Sequence, residues 1–210
     1  GRDLHDSGVD VVSVAQNHAL DRGVQGFEDT ISNLESSGIR AAADVTHVQA
    51  KGWKTAWLAC TEKINLDGHG SRSIPKSAKQ TKDDYTPRNI PDAVAAGVHG
   101  CEEDYFFDAI SKASQENHAV IAAMHMDGGL QYEATDAEED KAILQARARR
   151  ALEAGAVLVL VSGSHVIRSG WEVITTQDGR QTVAMYSLGN FLSNVGMEVQ
   201  SDHPRDFLHD

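Results

Sequence analysis

The 210-residue chain contains two cysteines, four prolines and few aromatics, 6 % of its residues. Two cysteines cannot build a disulfide framework, so the chain must fold around an apolar core. One disulfide is possible, but Cys60 and Cys101 do not form a CxxC pair, and the expectation is two unrelated thiols. Basic residues are outnumbered, with 19 Lys and Arg against 31 Asp and Glu and a net charge of −12. A protein that neutralises phosphates needs clustered Lys and Arg. The nearest approach is Arg147, Arg149 and Arg150, so no nucleic-acid partner is expected. Long apolar runs are also missing. The longest, residues 154–161, is broken by Gly155 and falls far short of the roughly 20 residues that span a bilayer, so no membrane segment is expected in this chain. Gly1 leads almost at once into an element and offers no signal peptide to read. What is present is 40 % hydrophobic and 24 % charged, the balance of an ordinary globular chain expected to form a single domain over residues 1–210. Ten histidines are generous for this length, and histidine is the commonest metal ligand and a frequent acid or base.

Along the chain, residues 9–15 form a β-branched apolar run that predicts a buried strand, followed by the polar turn Gln16-Asn17-His18. Phe27, Ile31 and Leu34 recur at helical spacing from Gly26, and Gly38 is placed to end that helix in a left-handed conformation. Residues 54–60 read as a second strand. From 61 to 100 periodicity disappears and three of the four prolines occur, which predicts an irregular loop or lid bordering a cleft. Residues 102–116 read as a helix with Phe106, Ile110 and Ala113 on one face, and 119–124 as a buried strand leading into His125. A capping box at Thr135–Glu138 opens a helix with Leu144, Ala148, Ala151 and Leu152 inward and Gly155 as its stop. Residues 156–161 form another apolar strand, and 173–176 with 182–186 form a hairpin turning at Asp178-Gly179. Strands and helices alternate early and a hairpin comes late, which predicts an α/β layered domain with a mixed sheet.

His18, His125 and His165 each lie at or just beyond the end of a predicted strand. Ligands of open α/β sheets bind outside the carboxyl ends of strands, so three residues distant in sequence can converge there. Asn17 and Asp21 flank His18, and an amide oxygen, an imidazole and a carboxylate are all competent around a divalent cation. Asp21 is also placed to cap the following helix, and capping is its expected role. Trp53, Trp57 and Trp171 have no fixed spacing and form no carbohydrate platform. No Gly-rich phosphate loop precedes a helix.

Residues 11–23 read Val-Val-Ser-Val-Ala-Gln-Asn-His-Ala-Leu-Asp-Arg-Gly, followed by Gly26 and Asp29-Thr30. Later come His125 with Tyr132, Ala154-Gly155-Ala156, Gly163-Ser164-His165-Val166 and Tyr186-Ser187-Leu188-Gly189-Asn190-Phe191. In this order, over residues 8–194, the segments resemble the CapA family of capsule and poly-γ-glutamate synthesis proteins, itself similar to calcineurin-like metallophosphatases. The resemblance implies a layered α/β/β/α sandwich with mixed sheets, incomplete at its N-terminus, around a site for divalent metal ions such as Mn, Fe or Zn. It implies Asn17, His125 and His165 as metal ligands and His18 as the catalytic histidine beside a phosphoryl group. Asp21, Asp127, Ser187 and Asn190 would shape the substrate site. It also suggests a cell-surface or extracytoplasmic setting.

The pattern departs from the family in its ligands. Ser162 or Gly163 stands where the first histidine of a His-x-His pair belongs, and Met126-Asp127-Gly128 replaces a Trp-Gly. The Gly-Asp and Asn-Leu-Glu motifs that precede Asn-His in the family are not among these 210 residues. Asp127 and His69 are the available substitutes. A full dinuclear centre needs close to its whole ligand set, so one metal or none is expected in this chain. Three readings follow: a metal-dependent hydrolase acting on an anionic polymer or a phosphoryl-type substrate, a non-catalytic relative that binds an anionic polymer or a partner protein, and a metal-dependent amidase on the same scaffold.

Overall fold

The computed structural model describes residues 1–64, 91–116, 118–126, 138–165 and 170–189. After a short α1 (Arg2–Asp6), β1 (Val11–Ser13) leads through a turn into α2 (Gly23–Ser36). Then follow β2 (Arg40–Ala42), β3 (Val45–Ala50) and β4 (Trp53–Thr61). The chain continues through α3 (Pro91–Ala95), β5 (His99–Gly100), α4 (Asp104–Gln115), β6 (Ala119–Met126), α5 (Glu138–Ala154), β7 (Ala156–Gly163), β8 (Trp171–Thr175) and β9 (Gln181–Met185).

The main sheet runs β3-β4-β6-β7-β9-β8, with β5 beside the end of β4. Strands β4, β6, β7 and β9 are parallel, and β3 and β8 add antiparallel edges. β1 and β2 form a separate parallel pair. Strand alternation sorts the side chains. Ala56, Leu58 and Cys60 of β4 and Val120, Ala122 and Met124 of β6 face α4 and α5, where Phe106, Phe107, Ile110, Leu144, Ala148, Ala151 and Leu152 complete one core. Trp57 and Ala59 of β4 and Ala123 of β6 face the other way, into a second core with Val14, Ala15, Leu20, Phe27 and Ala41 to Ala43. Because β2 rests on β3 and β4, and α2 rests on β2, the layers read α4/α5, main sheet, β1–β2, α2. This is an α/β sandwich with a mixed sheet, as the alternation of elements predicts. Each fully buried aliphatic such as Leu58 or Ile110 contributes about 1.5–3 kcal/mol, so the two cores rather than helix propensity hold the layers.

Several local signals are realised. Gly38 has φ +84° just past α2. Gly155, at φ +127°, follows α5, and a Cβ there would meet Ser114 Cβ at 2.5 Å, so the turn into β7 needs glycine. Other expectations need correction. β1 covers only Val11–Ser13 of the run 9–15. His125 lies within β6, which continues to Met126. Residues 61–100 are not irregular throughout: Thr61 ends β4, and α3 and β5 occupy most of 91–100. Ala93 and Val98 are fully buried there, so packing against the second core organises a stretch that carries no periodic pattern. Residues 65–90, and the capping box from Thr135, lie outside the described residues. The two cysteines are joined, Cys60 to Cys101, with Cα atoms 5.0 Å apart. Pairing of β5 with the end of β4 sets Cys60 opposite His99 and brings Cys101 beside it, so the expectation of unrelated thiols is overturned.

The Asp178-Gly179 turn of the β8–β9 hairpin yields a pH prediction. The Thr176 hydroxyl and then the Arg180 guanidinium donate to the Asp178 carboxylate and hold its pKa down to about 2. A depressed pKa stabilises the turn above the ordinary carboxylate range, and that contribution is lost as pH falls through about 2. The carboxylate signal of Asp178 should therefore titrate near 2 by NMR, and Thr176→Val should move its midpoint upward.

Candidate functional site

The backbone is held up to the point where the first site residue begins. Val14 N–H donates to Ala42 O at 2.9 Å and extends the β1–β2 ladder past Ser13. Ala19 N–H then donates to Gln16 O at 3.0 Å and closes a turn around Asn17 and His18. Fully buried Ala15 and Leu20 anchor the turn on either side. Across the layer, β6 and β7 run parallel with His125 opposite Ser162. His125 belongs to the set of β6 side chains that face the β1–β2 layer, so its ring reaches the Asn17 turn.

There His125 Nε2 lies 2.9 Å from Asn17 Oδ1, and His125 Nδ1 lies 3.2 Å from Ser162 Oγ. Asn17 is buried, with 8 % of its surface exposed. The carbonyl of His125 accepts Glu62 N–H at 2.9 Å, which ties the end of β4 to the same point. The Glu62 side chain pairs with Arg147 of α5 at 3.3 Å, and Arg147 also reaches Glu102, next to the disulfide, at 3.8 Å. The ends of β4, β6 and α4 are thus fastened to α5 beneath the site.

His18 points along its own turn. Its Nδ1 lies 2.8 Å from Asp21 Oδ2, and the pair is largely exposed. With Val14, Gln16, Ala19, Phe27 and Thr30 it borders a hollow of about 190 Å³. This corrects the expected capping by Asp21. Arg22 precedes α2 as its N-cap, no side chain caps the helix, and the Asp21 carboxylate goes to His18 instead. His165 is half-buried two residues past β7. Beside it, Ser164 Oγ and Ser187 Oγ are 2.7 Å apart, and Ser187 Oγ also accepts Gly189 N–H at 3.3 Å. Ser187 therefore joins the end of β7 to the chain leaving β9. One residue earlier, Tyr186 donates to Glu172 of β8, and burial followed by that carboxylate pushes its phenol pKa upward. Asp127 and Asn190, with His69 and Tyr132, lie outside the described residues.

Sequence reasoning missed two parts of this arrangement, the Ser162 contact with His125 and the Glu62–Arg147–Glu102 cluster. Ser162 stood out only as a replacement for a histidine, and its use became visible once register placed it opposite His125. No spacing signal marks the ionic cluster.

The family model "Bacterial capsule synthesis protein PGA_cap" matches residues 1–195, which include every candidate residue from Asn17 to Asn190. The chain belongs to the bacterial capsule synthesis protein family. It is 29 % identical over 203 residues to the PGA biosynthesis protein CapA of Bacillus subtilis (strain 168). The match takes in 92 % of this chain and 45 % of that protein, so the chain spans under half the length of the curated relative it matches. Among the described residues of this capsule synthesis family member, no three His, Cys, Asp or Glu side chains are grouped to hold a metal ion, and no helix is long and apolar enough to cross a membrane.

Proposed function

We propose that this capsule synthesis family chain acts in metal-dependent hydrolysis of an anionic polymer or a phosphoryl-type substrate. Asn17 and His125 would be ligands, His165 a further donor at the end of the adjacent strand, and His18 the histidine presented to substrate. The supporting observation is the 2.9 Å approach of Asn17 Oδ1 to His125 Nε2. Both are atom types that divalent cations take as ligands, and the turn and the strand bring them to one point, where a hydrogen bond joins them. They make up only part of a coordination shell, and among the described residues no group of three or more His, Cys, Asp or Glu side chains is placed to hold an ion. When bound, such an ion supplies an acidified water and neutralises charge on a departing oxyanion.

The chain's own residues supply orientation and proton handling. Asp21 accepts from His18 Nδ1–H, which leaves Nε2 as the atom that exchanges a proton with substrate or water. The Ser164–Ser187 bond holds the ends of β7 and β9 together as the site floor. A second reading, a non-catalytic relative that binds an anionic polymer or a partner protein, is supported by the lack of three grouped His, Cys, Asp or Glu donors among the described residues. Calorimetric titration with Mn2+ and Zn2+ separates the two, combined with an assay of phosphoester hydrolysis with and without chelator. The hydrolase reading expects at least one ion per chain, chelator-sensitive turnover, and loss of both in Asn17→Ala/His125→Ala. Absence of binding in the wild-type chain supports the non-catalytic reading.

A further inference from the structure

We infer that the outer edge of β8 is an interaction surface for a second copy of this chain, which pairs through its own β8, antiparallel, about a two-fold axis at Val173.

β8 ends the main sheet on one side. Its ladder to β9 decides which backbone groups are already used. Tyr186 N–H donates to Gly170 O at 3.2 Å and Thr176 N–H donates to Arg180 O at 3.0 Å. Between them the register sets Glu172 opposite Ala184 and Ile174 opposite Thr182. Hydrogen-bonded and non-bonded pairs alternate along an antiparallel ladder, so residues 170, 172, 174 and 176 turn their N–H and C=O groups toward β9. Trp171, Val173 and Thr175 turn theirs outward, and among the described residues no strand pairs with that side. The same three carry exposed side chains, with Trp171 65 % and Val173 52 % exposed. Native sheets blunt their edges with Lys, Pro or a bulge. β8 reads Trp-Glu-Val-Ile-Thr with unbroken register to β9 and has none of these. The opposite edge strand, β3, packs against β2.

The pattern of outward residues selects a copy of itself as the occupant. Trp171, Val173 and Thr175 are symmetric about Val173. When two such edges meet antiparallel with Val173 opposite the partner's Val173, Trp171 falls opposite the partner's Thr175 and Thr175 opposite the partner's Trp171. Each of these pairs exchanges both N–H···O=C bonds, so every outward donor meets an acceptor. Such isologous contacts build closed two-fold dimers, the commonest assemblies. Charge permits the same register. Each copy carries −12, so a self-pairing edge must keep its carboxylates apart. Glu172 is the only charged residue of β8; its side chain lies on the other face, where it accepts from Tyr186, and it would stand opposite the partner's Ile174. On the exposed face Trp171 and Val173 adjoin the partly buried Val183 and Met185 of β9, and the axis would join two such apolar faces into one. A strand of five residues makes a small interface, so the dimer dissociates on dilution.

The test is sedimentation equilibrium of the wild-type chain over about a hundredfold concentration range in the micromolar region, with amide hydrogen exchange measured at both ends of that range. Wild type should show a reversible monomer–dimer equilibrium. The amides of Trp171, Val173 and Thr175 should gain protection with concentration, while those of Glu172 and Ile174 are protected throughout. Val173→Lys, which opposes two ammonium groups at the axis, and Trp171→Lys, which strips the apolar face, should each weaken association on the order of 10-fold at an unchanged melting temperature of the monomer. The wild-type exchange pattern needs no variant and stands if either one folds poorly. A chain that stays monomeric across the range would overturn the inference. So would a dimer that keeps wild-type affinity in both variants, which would place the contact on another face. Outward amides protected equally at every concentration would also overturn it, because the chain itself would then cover the edge.

Discussion

On the proposed ligand role of His125, Zn2+ should stabilise the wild-type chain, and replacing His125 by alanine should erase that stabilisation while costing the metal-free protein much less. A cation that binds only the folded state at a hundred times its dissociation constant adds about 2.7 kcal/mol. At about 2–4 °C per kcal/mol for a chain of this size, that is a rise in melting temperature of about 5–10 °C. His125→Ala should remove all of it. Without metal the variant loses the bonds to Asn17 and Ser162. Asn17 is 8 % exposed, so its amide oxygen depends on internal partners more than on water. Such losses cost about 1–3 kcal/mol, with the half-buried ring placing this one toward the lower end. Melting curves in chelator and in excess Zn2+ measure the two effects separately. A variant that keeps the Zn2+ increment would rule out His125 as a ligand, whatever its stability in chelator. A wild type without an increment would favour the metal-free reading.

The legible parts of the fold are those decided locally. Leu144, Ala148, Ala151 and Leu152 define the buried face of α5 by helical spacing alone, and all are fully or nearly fully buried. Gly38 and the Asp178-Gly179 turn mark their sites because few other residues adopt the backbone required. β2, α3 and β5 escaped because they have three, five and two residues, too few for any period to emerge, and tertiary contacts define them. In the candidate site, the positions of Asn17, His125 and His165 near strand ends were readable, since strand and turn signals are local. The pairing of Asn17 with His125 spans 108 residues and that of His125 with Ser162 spans 37. Only strand order and register decide such contacts. Asp21 shows the same limit on a smaller scale: capping and a bond to His18 are both chemically available to it, and the start of α2 at Gly23 chooses between them.

The disulfide carries the other large effect. Cys60 and Cys101 are separated by 41 residues, and the chain-entropy relation for a loop of that size gives about 4 kcal/mol of stabilisation at 25 °C. That is a large share of the 5–15 kcal/mol by which domains are normally stable. Cys60→Ala/Cys101→Ala should therefore lower the unfolding free energy by about 4 kcal/mol, with the sulfur atoms lost from a fully buried position adding to the cost. Denaturant titration separates these causes. Freeing the loop expands the unfolded chain, so the slope of free energy against denaturant should rise together with the fall in midpoint, whereas a cavity alone lowers the midpoint at constant slope. The wild-type chain in strong reductant should follow the double variant. A reductant-insensitive wild type would show that the two thiols are not bonded in solution. The damage should also reach the site, because Cys60 is followed by Thr61, the β4 residue paired with His125, and Cys101 N–H donates to Thr61 O at 3.2 Å. On the proposed ligand role of His125, the double variant, studied below its lowered melting point, should then bind Zn2+ more weakly than the wild type, while a variant with unchanged Zn2+ affinity would show that the bond stabilises the fold without holding the end of β4 against β6.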